Sequence, residues 1–271
     1  MKKAGSLLLI IVFTFFSVFC SSVNAPHAAT NDELQVQKLK KKGFKNPKFY
    51  KDAKKTQFKA QKKHNNKEYD IIATMEDSTK NVVLEVENEG KSKPEVYQVD
   101  IHEADGDLLV ATFTDKATGK KYEVDNTKAK SNFAFVIPIG IVIGEALVAH
   151  LLAASLAIVV AGVTYVAATE VASKLRKNKR YDHYAASLNK AKTAMYIGPS
   201  LTYNQAKSKL KKGDVWSISK SLARKVAQGA GGNRVPIGPE IHNKDKNGKV
   251  KSGKYYYHYH TYNRAGGHSF Y

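Results

Sequence analysis

The chain has 271 residues, 44 lysines and arginines against 24 acids, a net charge of +20 and a single cysteine, Cys20. That length accommodates two modest domains. One cysteine excludes an intrachain disulfide and a thiolate-rich metal centre, so any metal would need His, Asp or Glu ligands.

Residues 1–25 read as a secretory signal peptide: Lys2 and Lys3, an apolar run at 7–19, and Val23-Asn24-Ala25 as a small-x-small cleavage pattern. Left uncleaved, the same segment is an anchor, so the expected location is secreted or at the cell envelope. Residues 26–67 follow as a basic linker, with thirteen lysines and one acid in 38–67. Residues 68–130 read as a β domain. Short alternating or β-branched runs at 69–75, 81–87, 96–102, 108–114 and 120–124 are separated by turn signals such as Asp105-Gly106 and Thr118-Gly119. They predict an antiparallel meander of about five strands.

Residues 133–180 form a hydrophobic helical segment with a basic flank. The stretch 133–168 is apolar, with Glu145 and His150 its ionisable groups. At about 1.5 Å per residue it exceeds the roughly 20 residues that span a bilayer. Lys174, Arg176, Lys177, Lys179 and Arg180 follow it, matching the positive-inside rule. The expectation is a transmembrane or membrane-contacting segment, with a buried helical hairpin as the other option.

Residues 181–271 predict three helices and a small sheet. Asp182 caps the first, with Tyr184, Leu188, Ala191 and Met195 at helical spacing. Ser200 caps the second, over 201–212, and the third follows Trp216. Strands follow at 237–242 and 254–260, with 268–271 returning. The fold class read from the sequence is therefore α+β: an N-terminal antiparallel β meander, a central hydrophobic helical segment, and a C-terminal domain of three helices plus a small β-sheet.

The candidate chemistry lies in the last stretch, GKYYYHYHTYNRAGGHSFY. On a strand, His258 and His260 share one face while Tyr257 and Tyr259 take the other. A hairpin would bring His268 and Arg264 beside them, and Glu240 and His242 complete the candidate groups, with Tyr257 and Trp216 nearby in pattern. Imidazole titrates near neutrality, so two histidines can divide general base and general acid. RNA supplies its own 2′-OH nucleophile, so the reading is metal-independent RNA cleavage with no cofactor. His258 and His260 act as base and acid, and Arg264 or Lys254 serves as the phosphate cation. Tyr256, Tyr259 and Trp216 join Lys254 as substrate contacts. The rival reading is a zinc site from His258, His260 and His268; no carboxylate that would orient such ligands is evident in the sequence. Residues 171–271 carry twenty-one basic and four acidic residues, which suits a polyanionic partner such as RNA.

The stretches DVWSISKSLARKVAQGAGG, GPEIH and YYYHYHTYNRAGGHSFY, with VAGVTYVAATEVASKLRKNKR ahead of HYAASL, resemble a family of secreted, polymorphic-type toxins of Gram-positive bacteria. The resemblance implies a class, with an acidic immunity protein as partner, and supplies no catalytic residues. The function read at this level is a secreted or surface-delivered antibacterial toxin with an RNA-cleaving tip. The alternatives are a membrane-active toxin working through 133–168 and a non-enzymatic envelope-anchored binding protein.

Overall fold

The computed structural model describes residues 30–77, 79, 81–88, 92–128, 137–253 and 255–271. The signal-peptide reading of 1–25, the start of the apolar stretch at 133–136, and Lys254 lie outside the described residues.

Regular structure begins well before residue 68, so the linker reading of 26–67 gives way. Thr30 caps helix α1 (Asn31–Lys41): its side chain accepts from the Glu33 backbone N–H, and the Glu33 carboxylate accepts from the Thr30 N–H. Strands β1 (Lys45–Lys51) and β2 (Lys55–His64) follow. In β2, Lys55, Lys59 and Lys63 face outward while Phe58 and Ala60 point into the core. Five further strands continue the meander: β3 (Lys67–Glu76), β4 (Val82–Asn88), β5 (Glu95–Asp105), β6 (Leu108–Asp115) and β7 (Lys121–Asp125). Each pairs antiparallel with the next. Ile71, Ala73 and Met75 on β3, Leu84 on β4 and Phe113 on β6 line the buried face.

That face is filled by the apolar stretch itself. Helix α2 (Ile139–Ala154) has 16 residues, about 24 Å at 1.5 Å each, short of a 30 Å hydrocarbon core. It lies against β2 through β6 and against α1. Ile141, Leu147, Val148 and Leu151 are fully buried in the same core as the strands. The helix is apolar on nearly every side because protein surrounds it on nearly every side. Gly140 and Gly144, one turn apart, let its backbone approach the sheet: a Cβ on Gly144 would sit 2.6 Å from Leu84 Cδ2. No helix among the described residues is long and apolar enough to cross a membrane, so the transmembrane expectation is corrected.

After α2 the chain makes the hairpin β8 (Ala157–Val160) and β9 (Val163–Ala167), helix α3 (Ala168–Asn178), β10 (His183–Leu188) and β11 (Met195–Leu201). Helix α4 (Tyr203–Leu210), β12 (Val215–Ser217), helix α5 (Lys220–Ala230), β13 (Ile237–Glu240), β14 (His258–His260) and β15 (Ser269–Phe270) complete it. A single bridge pair, Ala104 with Val159, joins β8 to β5. Among the described residues the strands form one mixed sheet of fifteen, whose C-terminal part runs β9-β11-β10-β12-β15-β14-β13. The three-helix domain expected at 181–271 is absent: the first predicted helix is the strand pair β10 and β11. His183, Tyr184, Ala185 and Ala186 are all buried, so this central strand has both faces covered and no alternation to reveal it. The fold class is thus a large mixed β-sheet with five helices among the described residues.

Candidate functional site

The two faces of the C-terminal sheet are covered unequally. Helices α4 and α5 bury one face around Leu210, Val215, Ala223, Val226 and Tyr259. On the other, α3 covers Tyr184, Met195, Ile197, Trp216 and Phe270. Beyond Phe270, on the outermost strands β15, β14 and β13, that second face carries the histidines.

Strand register assembles them. β14 and β15 pair antiparallel, with His258 opposite Phe270 and Tyr259 opposite Ser269. The same register sets His260 against His268, and their rings lie 4.8 Å apart. β13 pairs on the other side of β14, with Glu240 opposite His258, and His242 follows two residues later. The His242 ring lies 4.8 Å from His258 and 6.1 Å from His260. His258 and His260 are 5.0 Å apart. The hairpin turn at Thr261–Gly266 returns Arg264 to the cluster, where its guanidinium forms a bidentate pair with Glu240. The four residues expected to meet at the hairpin, His258, His260, Arg264 and His268, do so, and the two further candidates, Glu240 and His242, join them.

Their environments differ. His258 and His260 are buried and form the floor, while His242 and Arg264 stand at the open mouth. Burial, aided by the surrounding imidazoles, pushes the His258 pKa down to about 4. His258 is therefore neutral at pH 7, and with its pKa so far below neutrality it makes only a weak general base, the role expected of it. Its Nδ1 lies 3.1 Å from the Tyr256 carbonyl oxygen, an acceptor, which places the proton on Nδ1 and leaves Nε2 as a lone pair facing the cluster. The Nε2 of His258 and both ring nitrogens of His260 are buried without a hydrogen-bond partner. Burial also lowers the His260 pKa, with His268 and Arg264 adding to the effect. The Arg264 pair, with His242 assisting, holds Glu240 down at about 2. Glu240 raises the Arg264 pKa in return, so that cation is already matched by a carboxylate.

One functional candidate was missed from the sequence. Asp214, immediately before β12, accepts from the His268 backbone N–H at 2.8 Å and contacts its Nδ1 at 2.8 Å. This fixes the tautomer of His268 with Nε2 free toward the cluster. The Gly266-Gly267 pair makes the approach possible: a Cβ on Gly267 would meet the Gly213 carbonyl and sit 2.7 Å from Asp214 Oδ1. A signal was available, because 171–271 contains only four acids and two of them, Asp214 and Glu240, lie at the cluster.

The expected substrate contacts fare less well. Trp216 is fully buried, under the Arg176 guanidinium at 5.3 Å, and Tyr259 is packed beneath α5. Neither offers a face to a base. Tyr256 is partly buried against the α3 side of the core. A cleft of about 450 Å³ adjoins the 261–266 turn instead, lined by Lys211, Arg234, Thr261, Tyr262 and Asn263 among others. Arg234 lies over the Tyr262 ring at 4.4 Å, joining a cation and an aromatic face at that cleft. No protein-family model, curated protein or solved structure matches the chain.

Proposed function

We propose that this chain is a secreted toxin whose C-terminal region cleaves RNA at the histidine cluster. The observation that carries the reading is the Asp214–His268 pair at the rim of four converging imidazoles. A base held by a carboxylate is the arrangement that activates a hydroxyl nucleophile. His268 is about one-third exposed, so substrate reaches its Nε2. In this reading His268 takes the proton of a 2′-OH, the 2′-oxygen bonds to phosphorus and the P–O5′ bond breaks. The leaving 5′-oxygen takes its proton from water at the open mouth, and the other product end is a 2′,3′-cyclic phosphate. The base role moves from His258 to His268, because only the latter combines exposure with an orienting carboxylate. The basic cleft beside the 261–266 turn, with Lys211, Arg234 and Tyr262, suits the neighbouring phosphates and bases of a single strand.

The test is incubation of the full chain with a structured RNA. Cleavage leaving cyclic phosphate ends is expected. General-base contributions of about 10²–10⁴ set the loss expected in His268→Ala. A His268→Ala protein that cleaves like the parent overturns the assignment.

A further inference from the structure

We propose that Glu240, His242, His258 and His260 form a binding site for one late first-row divalent metal ion, with zinc as the probe. Each residue offers one ligand atom, and these atoms all lie within 4.8 Å of one another. Glu240 Oε2 lies 3.3 Å from His242 Nε2 and 3.7 Å from His260 Nε2. Zinc bonds of about 2.0–2.1 Å in a tetrahedron put ligand atoms about 3.4 Å apart, so little adjustment is needed there.

The orphaned nitrogens supply the independent observation. A buried polar atom without a partner is costly, and such atoms in a native fold call for an explanation. Here three lie together, His258 Nε2 and both ring nitrogens of His260. A lone pair left bare on a buried imidazole is what a metal takes up. The supporting contacts match a ligand set as well. The Tyr256 carbonyl holds His258 Nδ1, and the Arg264 guanidinium holds Glu240, each fixing the orientation of a donor atom. Three imidazoles and one carboxylate suit zinc and its neighbours in the series, and exclude the all-oxygen preference of magnesium and calcium. His242, at the exposed rim, leaves a route for the ion. The metal-free reading rested on the lack of cysteines and of an evident carboxylate; the fold brings one carboxylate, Glu240, into the ligand set itself.

Metal binding stands independently of RNA cleavage. With four protein ligands the ion would hold Glu240 and the three rings in place beside the His268 base, and any part it plays in cleavage rests on the proposed function. The test uses the full chain, stripped with chelator and titrated with zinc by calorimetry, then with cobalt by visible absorption. One ion per chain and the strong visible bands of four-coordinate cobalt are expected. His242→Ala and Glu240→Gln, both at the exposed side and checked for fold by circular dichroism, should each weaken binding at least about tenfold. Absence of one-to-one binding, or equal binding in both variants, overturns the site. RNA cleavage is followed on the same stripped and reloaded samples. Binding without cleavage upholds the metal site and defeats the RNA reading. Cleavage by stripped protein that binds no zinc does the reverse.

Discussion

Acidification should destabilise the C-terminal region well above the pH at which its carboxylates titrate. His258 is neutral and buried in the folded chain, with its pKa pushed from 6.5 down to about 4. Unfolding returns the ring to water, where it binds a proton near pH 6.5. Between those values the unfolded chain binds more protons, so stability falls as pH falls. At about 1.4 kcal/mol per pH unit, the penalty is on the order of 2 kcal/mol at pH 5 and approaches about 3 kcal/mol below pH 4. His260, whose pKa burial also lowers, acts in the same direction. Glu240 is held at about 2, so its contribution is lost only in a lower window, as pH falls from 4.5 towards 2. The assay is urea unfolding of chelator-treated protein at pH 7, 6 and 5. Trp216, the single tryptophan, reports on the transition because it packs with Phe270, whose ring lies 5.3 Å from His258. His258→Gln, which cannot titrate, should lose its share of the pH dependence. A midpoint unchanged from pH 7 to 5, or an identical slope in the variant, refutes the assignment of a buried neutral imidazole.

Leu147→Asp should cost about 4 kcal/mol or more, because it places a charge in the fully buried seam of α2; a thermal melt like the parent's would show that α2 does not serve as core. Gly144→Val should destabilise by about 1–3 kcal/mol through contact with Leu84, read by urea unfolding followed by circular dichroism. Asp214→Asn keeps an oxygen for the His268 backbone N–H, so the fold should survive. It should still slow RNA cleavage about 10²-fold by misplacing the base, and alter the pH–rate profile. RNA affinity should fall with added salt, with a slope of about −0.7 per single-strand phosphate neutralised, in a filter-binding titration.

Local pattern and tertiary context contributed different parts of this protein. Period-2 alternation from residue 69 to 124, with turn residues between runs, was enough to place five strands, because each has one face in the core and one in water. The same period placed His258 and His260 on one face, and the short 261–267 turn brought back His268. In β1 and β2 the alternation is present, but lysine on the water side made the composition look like a spacer. Three features were decided only by the assembled chain. Within the apolar stretch, 139–154 is a core helix because the strands of β2 to β6 enclose it, while 157–167 turns into a strand hairpin, and a helix buried in protein has the same composition as one buried in lipid. His183–Leu188 is a strand because both of its faces are covered, which erases the alternation, while chance spacing of Tyr184, Leu188 and Met195 imitates a helix. Asp214 meets His268 across 54 residues because β12 and β15 lie side by side in parallel, a pairing with no local sequence signature.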